Sequence, residues 1–381
     1  IAGGSPMRVA IVHEWLDTYA GSERVLEQML AVWPEADLYA LCDFLPEAER
    51  GFLGGRIPRT TFIQRLPFAR RRFRMYLGLM PLAIETLDLS GYDLVVSSSH
   101  AVAKGAITGP GTLHLAYVHS PMRYAWDLQA QYLREAGLER GLKGAYARWL
   151  LHRLRLWDHA SAARPDAILA NSRYIAERIR KVWRREAEVL HPPVDTDSFT
   201  PVAAKQDFYL IASRMVPYKR VDLAAASFRR MPDRRLVIVG DGPQMRAVRQ
   251  AAGDAPNISF RGHVGKAELV ALMQSARACL HIAEEDFGIA MVEAQACGTP
   301  MLAFGRGGSC DIVRTPEESD APTGLLFAEQ TAEALIEAVE RFERNRGAFT
   351  PAACRANAER FSAARFRDGL RAAAARHLGH G

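Results

Sequence analysis

No apolar run in these 381 residues reaches the ~18 needed for a membrane-crossing helix, so none is expected. The five cysteines, Cys42, Cys279, Cys297, Cys310 and Cys354, are odd in number, form no CxxC pair and mostly sit among apolar residues. That pattern excludes a disulfide framework and a zinc site, and it fits a reducing cytoplasm. A Walker A sequence is missing as well. Gly262-His263-Val264-Gly265-Lys266-Ala267 has too few residues between its glycines and lacks the Ser/Thr, which argues against phosphoryl transfer from ATP. Nor is Gly240-Asp241-Gly242-Pro243 a dinucleotide fingerprint, because its third glycine is absent and proline follows the second. No fixed-period repeat is present, and no RNP-like, helix-turn-helix or zinc-finger pattern accompanies the net charge of +6, so nucleic acid is a poor partner. Ile1-Ala2-Gly3-Gly4-Ser5-Pro6 reads as a cloning remnant; the strand beginning at Met7 leaves no room for a signal peptide.

What is there is an ordinary globular composition, 49% hydrophobic and 24% charged, in a chain long enough for two domains. Strand-like runs alternate with helical ones. Val9–His13, Asp93–Ser98, Leu113–His119, Ala167–Ala170 and Glu188–His191 come first, then Asp207–Ser213, Leu236–Gly240, Ile258–Arg261, Ala278–Ala283 and Thr299–Phe304. Between them lie helices such as Arg24–Trp33, Arg173–Trp183, Val221–Met231 and Lys266–Ser275, and Phe361–His377 reads as a closing helix. Several strands are apolar throughout, as strands buried on both faces are, which is the βαβ rhythm of a doubly wound α/β sheet. The rhythm breaks at the proline-bracketed stretch His191–Pro201, so two Rossmann-like halves are expected, with a ligand cleft between them.

Glu285 and Glu293 bracket an acidic turn and the start of a helix. A helix N-terminus offers free N–H groups and a positive dipole end to a phosphate, and a carboxylate accepts from both hydroxyls of a vicinal diol. Two carboxylates flanking an anion site suit a ligand with diols at both ends and phosphates between them, a nucleotide sugar. A solvated acidic turn with an exposed helix glutamate is the competing reading. Arg214 and Lys219 follow the strand ending at Ser213, where two cations would neutralise a diphosphate without a metal. Surface pairing is their alternative role. Gly21-Ser22-Glu23-Arg24 follows the first strand and is either a phosphate-approaching loop or a capped turn. His119, at a strand end before Ser120-Pro121, is placed to donate a hydrogen bond into a cleft, or is structural. Asp195-Thr196-Asp197 matches a metal-binding DxD in form, but its place in the linker favours a turn.

Positive charge is concentrated in two segments. Arg65, Arg70, Arg71, Arg72 and Arg74 interleave with Phe62, Leu66, Phe68, Phe73, Tyr76 and Leu77, and a second mixture runs from Lys143 through Arg148, Trp149, Leu150, Arg153, Arg155 and Trp157. Each suits an anionic lipid surface, or is a solvated helix face whose aromatics pack inward.

Taken in order, Gly21-Ser22-Glu23-Arg24, Asn171-Ser172, His191-Pro192-Pro193-Val194-Asp195, Ser213-Arg214 with Lys219, Gly240-Asp241-Gly242-Pro243 and the Glu285–Glu293 pair resemble the family 4 retaining glycosyltransferases of GT-B fold. The segment His119–Tyr124 with Trp126-Asp127 is similar to the branch holding mannosyltransferases of bacterial O-antigen and exopolysaccharide (lipopolysaccharide-type) assembly. The resemblance implies an acceptor-side Rossmann-like domain over 7–196, a nucleotide-sugar domain over 197–364, and a helix over 365–381 packing back toward the first. It further implies a hexosyltransferase moving mannose from GDP-mannose onto a lipid-linked or polysaccharide-precursor acceptor, by a front-face mechanism needing neither metal nor cofactor. Arg214 and Lys219 would hold the diphosphate, Glu293 the ribose, Glu285 the sugar hydroxyls, and His119 would contact the transferred sugar. The amides around Asp286, Phe287, Gly288 and Ile289 would face sugar and phosphate, with Gly21 and Ser22 approaching from the other domain. Where this family usually has glycine, the chain has Asp286. The implied setting is the cytoplasmic face of the membrane. Other readings are a UDP-sugar transferase of the same family, a sugar-nucleotide 2-epimerase on the same fold, and a basic membrane-associated scaffold without activity.

Overall fold

In a doubly wound sheet each strand must be apolar on both faces, and the computed structural model, which describes residues 7–378, has two such sheets. The Ile1–Pro6 segment lies outside the described residues. The chain forms two compact units. One holds the residues up to Pro193 together with those from Phe366 onward, and the other is Val194–Arg365.

The first unit carries seven parallel strands: β1 (Val9–Leu16), β2 (Asp37–Asp43), β3 (Arg59–Thr60), β4 (Leu94–Ser99), β5 (Leu113–Val118), β6 (Ala167–Ala170) and β7 (Glu188–Val189). They are ordered β3-β2-β1-β4-β5-β6-β7. Successive residues of β1 enter opposite cores. Val9 and Ile11 join Leu26 and Met29 of the helix Gly21–Val32, while Ala10 and Val12 join Tyr39 and Leu41 on the other face. The closing helix, Ala363–Leu378, buries Phe366, Leu370, Ala373 and Ala374 in the first of these cores, a face at helical spacing. Phe366 meets Tyr117 of β5 edge-on at 5.4 Å.

The second unit has six parallel strands: β8 (Tyr209–Ala212), β9 (Leu236–Val239), β10 (Ile258–Gly262), β11 (Ala278–His281), β12 (Met301–Phe304) and β13 (Gly324–Phe327). Their order is β10-β9-β8-β11-β12-β13. Here too the faces alternate: Tyr209 and Ile211 face one core, Phe208 and Leu210 the other. Val194 already belongs to this unit, since its amide donates to Phe361 O at 2.9 Å. Phe199 is buried in the same core, with Arg355 Nη1 donating to Thr196 O and Phe199 O. The second half of the proline-rich stretch is therefore packed structure, and the unit begins three residues earlier than the 196/197 division implied by the resemblance.

Sequence patterning missed β2, β3 and β13. It also ran β7, β8 and β11 past their ends, at β11 because apolar character continues into the buried Ile282 and Ala283.

Candidate donor site

In both sheets the chain winds outward in one direction from its first strand and then in the other. The carboxyl ends of β8 and β11 in the second unit, and of β1 and β4 in the first, are thus neighbouring strands whose connections diverge, leaving a crevice.

At the second unit's switch point, β8 runs into a loop carrying Arg214 and a short turn, Pro217–Lys219. Arg220 follows in the left-handed region at φ +50, a conformation costing a non-glycine residue about 1 kcal/mol, and it turns the chain into the helix Val221–Arg229. The Gly240-Asp241-Gly242 turn supports this loop. A Cβ at Gly240 would stand 2.0 Å from Ser213 O, and Met215 N donates to Asp241 O at 2.9 Å. Its glycines serve close backbone approach under Arg214. The Arg214 guanidinium is exposed and makes no ion pair or hydrogen bond among the described residues.

Across the crevice, β11 leads through Glu285 and Asp286 to Gly288, which caps the helix Ile289–Ala296 at φ +101. Lys219 Nζ donates to Glu285 Oε1. His281 Nε2 stands 3.2 Å from Glu285 Oε2, within ion-pair range though not aligned as a hydrogen bond. Burial by itself would raise the Glu285 pKa, but His281 and Lys219 outweigh it and hold the carboxyl down at about 2. The group is an anion at any physiological pH. Glu293 lies within the helix at 9% exposure, so the reading as a solvated acidic turn with an exposed helix glutamate is wrong. Asp286 needs no left-handed backbone, which is why the loop tolerates it where glycine is usual. Among the first-turn amides of Ile289–Ala296, that of Met291 donates to Gly288 O at 3.0 Å, those of Ile289 and Ala290 precede any acceptor within their own helix, and no side chain caps Gly288.

Sequence reasoning passed over His281, Gly307 and Gly308. The last two follow β12, where Gly308 N donates to Glu285 O at 2.8 Å. A Cβ at Gly307 would fall 2.2 Å from Glu285 O, and one at Gly308 2.2 Å from Phe287 O. The run Gly305-Arg306-Gly307-Gly308 was the available signal. A cavity of about 370 Å³ lies at the amino ends of β11 and β12, lined by Lys205, Arg277 and Arg346. Arg277 is already paired with Asp207 and Glu343, and Lys205 Nζ donates to Gln274 O, Cys297 O and Thr299 Oγ1, so both cations are engaged within the fold.

In the first unit, Gly21 and Ser22 open the helix Gly21–Val32. Glu23, nearly inaccessible, accepts from Ala20 N and Ser22 Oγ at 3.0 Å each and from His13 Nε2 at 3.3 Å. The turn is thus capped by its own glutamate. Glu14, fully buried near the end of β1, is a loop organiser that the sequence hid. Its Oε1 accepts from Ser99 Oγ and the amides of His100, Ala101 and Ala103, and Oε2 accepts from Val102 N, at 2.7–3.1 Å. Burial would raise its pKa, but His100 and these amides pull it below the ordinary value. Lys104, next in sequence, is enclosed between the rings of Trp157 and Trp183 and bonds Asp158 at 2.7 Å. His119 follows β5; Ser98 Oγ is 2.9 Å from its Nε2, and burial, with His100 and His13 nearby, keeps the ring neutral.

The two basic segments of the first unit touch one another. A Cβ on Gly78 would touch Leu150 at 2.9 Å, which places residues 65–82 beside the helix Gly141–Ser161. Phe68 is 80% exposed and Trp149 57%, with Met75, Leu82, Leu142 and Tyr146 also exposed, beside Arg65, Arg70, Arg71 and Arg72. Arg74 belongs elsewhere, paired with Asp17 at 2.6 Å, while Phe73 packs inward. Asp195 Oδ1, from the DxD, accepts from Ser198 N at 3.1 Å within a turn.

Two family models match the chain, "Glycosyltransferase Family 4" over residues 19–198 and "Glycosyl transferases group 1" over residues 195–361. The chain is 29% identical over 207 residues to a D-inositol 3-phosphate glycosyltransferase of Mycobacteroides abscessus, covering 48% of this chain and 45% of that protein. It is 30% identical over 204 residues to a GDP-mannose-dependent alpha-(1-6)-phosphatidylinositol monomannoside mannosyltransferase of Mycolicibacterium smegmatis, covering 46% and 52%. The aligned part spans about half the length of these curated relatives. Among solved structures, Anabaena Alr3699/HepE in complex with UDP superposes with a TM-score of 0.69 at 16% identity, covering 97% of this chain and 100% of that one. Sucrose-phosphate synthase from Thermosynechococcus elongatus gives 0.68 at 17%, covering 98% and 100%. At those identities the likeness is one of fold, the two Rossmann-like domains of GT-B.

Proposed function

Because two glycosyltransferase models together account for residues 19–361, the chain belongs to glycosyltransferase family 4, and we propose that it transfers mannose from GDP-mannose with retention of configuration. The acceptor is a lipid-linked or polysaccharide-precursor glycan. The observation that carries the reading is the Lys219–Glu285 cluster at the second unit's switch point, beside the N-terminus of the Ile289–Ala296 helix. The choice of GDP-mannose is supported by the mannosyltransferase relative.

Arg214 and Lys219 take the donor diphosphate, the amides from Asp286 to Ile289 face phosphate and sugar, Glu285 takes sugar hydroxyls and Glu293 the ribose diol. As the bond between C1 and the phosphate oxygen breaks, negative charge grows on the diphosphate, and cations already in place lower that barrier. The acceptor hydroxyl oxygen bonds to C1 on the face the diphosphate leaves, and its proton passes to the departing phosphate oxygen. No metal or cofactor takes part. The first unit presents Gly21 and Ser22 at the start of the helix after β1, and a neutral His119 after β5. Its basic, aromatic face binds an anionic membrane surface, which suits a lipid-linked acceptor. No helix among the described residues is long and apolar enough to cross a membrane.

The test is nucleotide release from a panel of GDP- and UDP-sugars with polyprenyl-linked acceptors. GDP-mannose should turn over, and Glu293→Ala should weaken donor binding roughly tenfold or more. Epimerised donor formed without acceptor would establish the 2-epimerase reading instead.

A further inference from the structure

We infer that His281 is a positioning residue of the donor site, the partner that keeps Glu285 in place when Lys219 turns to the donor's diphosphate. The inference rests on the function proposed above.

Glu285 is held from two sides by groups mounted very differently. Lys219 reaches Oε1 on a long, flexible stem that follows a short turn. His281 faces Oε2 at 3.2 Å from the last residue of β11, where its backbone is in register with Ala303 of β12. A diphosphate carries more negative charge than one carboxylate and draws the lysine toward it. The imidazole is fixed to the sheet and stays. Without it, a carboxylate only 19% exposed would lose its fixed partner just as it must aim its oxygens at sugar hydroxyls. Gly288 closes the same corner: a Cβ there would lie 3.6 Å from Glu285 Oε2 and 3.7 Å from His281 Cε1. The imidazole and the carboxylate thus share the space beside the helix N-terminus, where a donor's sugar and phosphate meet.

Two variants separate positioning from scaffolding. His281→Phe keeps the bulk and removes the ring nitrogens; His281→Gln returns an N–H donor near the position of Nε2. The readouts are kcat and KM for the active nucleotide sugar, and the calorimetric Kd for GDP and UDP alone, which carry no sugar for Glu285 to hold. His281→Phe should lower kcat by roughly tenfold or more, the scale on which a largely buried carboxylate loses a close polar partner. Its nucleoside diphosphate Kd should stay within about twofold of wild type, and His281→Gln should recover most of kcat. An unchanged kcat in His281→Phe overturns the inference. So does a loss of GDP and UDP binding that matches the loss of kcat in both variants, since His281 would then be scaffold. A wild-type protein that turns over no donor overturns the functional reading itself, and this inference with it.

Discussion

Replacing Glu285 with glutamine keeps the side chain's size and removes its charge, and the structure sets the size of the consequence. A fall from the ordinary 4.5 to about 2 corresponds to ~3 kcal/mol by which the folded site prefers the carboxylate over the acid. The folded value is the depressed one, so this stability is fully present above about 4.5 and is lost as pH falls toward about 2. By pH 3 roughly two-thirds of it, ~2 kcal/mol, should be gone. Denaturant unfolding of wild type and Glu285→Gln from pH 6 to pH 3 reads this directly. With a probe reporting on the Val194–Arg365 unit, the wild-type advantage should shrink by ~2 kcal/mol over that range. Working with the difference between the two proteins cancels the other carboxylates, which titrate alike in both. If the two curves run parallel from pH 6 to pH 3, Glu285 is not held between Lys219 and His281, and the donor site described here is wrong.

Two other expectations concern the first unit. Glu14→Ala leaves four buried amides and Ser99 without their acceptor, at a cost of roughly 3–5 kcal/mol. That lowers the melting temperature of the first unit by on the order of 10 °C and speeds amide exchange at residues 100–103; a melt within about 2 °C of wild type would count against the carboxylate as the loop's organiser. Wild-type protein should float with vesicles containing anionic lipid and not with neutral ones, and Arg70/Arg71/Arg72→Ala should float less. If wild type floats with neither kind of vesicle, the exposed aromatic face has another role.

How far the sequence could be read depends on whether a residue's role is decided by its own element or by a neighbour. Arg214, Lys219 and Glu285 could be singled out because each lies past the carboxyl end of an apolar strand, and Glu293 because it falls within the helix that follows the acidic turn, positions that local patterning exposes. His281 was not. It looks like the last residue of a strand, and only the pairing of β11 with β8 brings Lys219, 66 residues away, to the carboxylate His281 faces. Glu14 was hidden for the same reason: inside an apolar run it reads as a blemish until β1 lies beside β4 and the Ser99–Ala103 turn folds over it. Arg74 erred in the opposite direction. Its setting among arginines and phenylalanines suggested a lipid-facing cation, whereas Asp17, 57 residues earlier, had already taken its charge. Strand β3, at two residues, is too short for any alternation to register. The residues that local patterning missed are therefore concentrated at the switch points, where two distant loops are neighbours only through strand order. Those are also the places where α/β sheets bind ligands. A buried charge that interrupts the pattern of a strand next to a switch point, as Glu14 does, is thus better taken as the anchor of a loop there than as a defect in the strand.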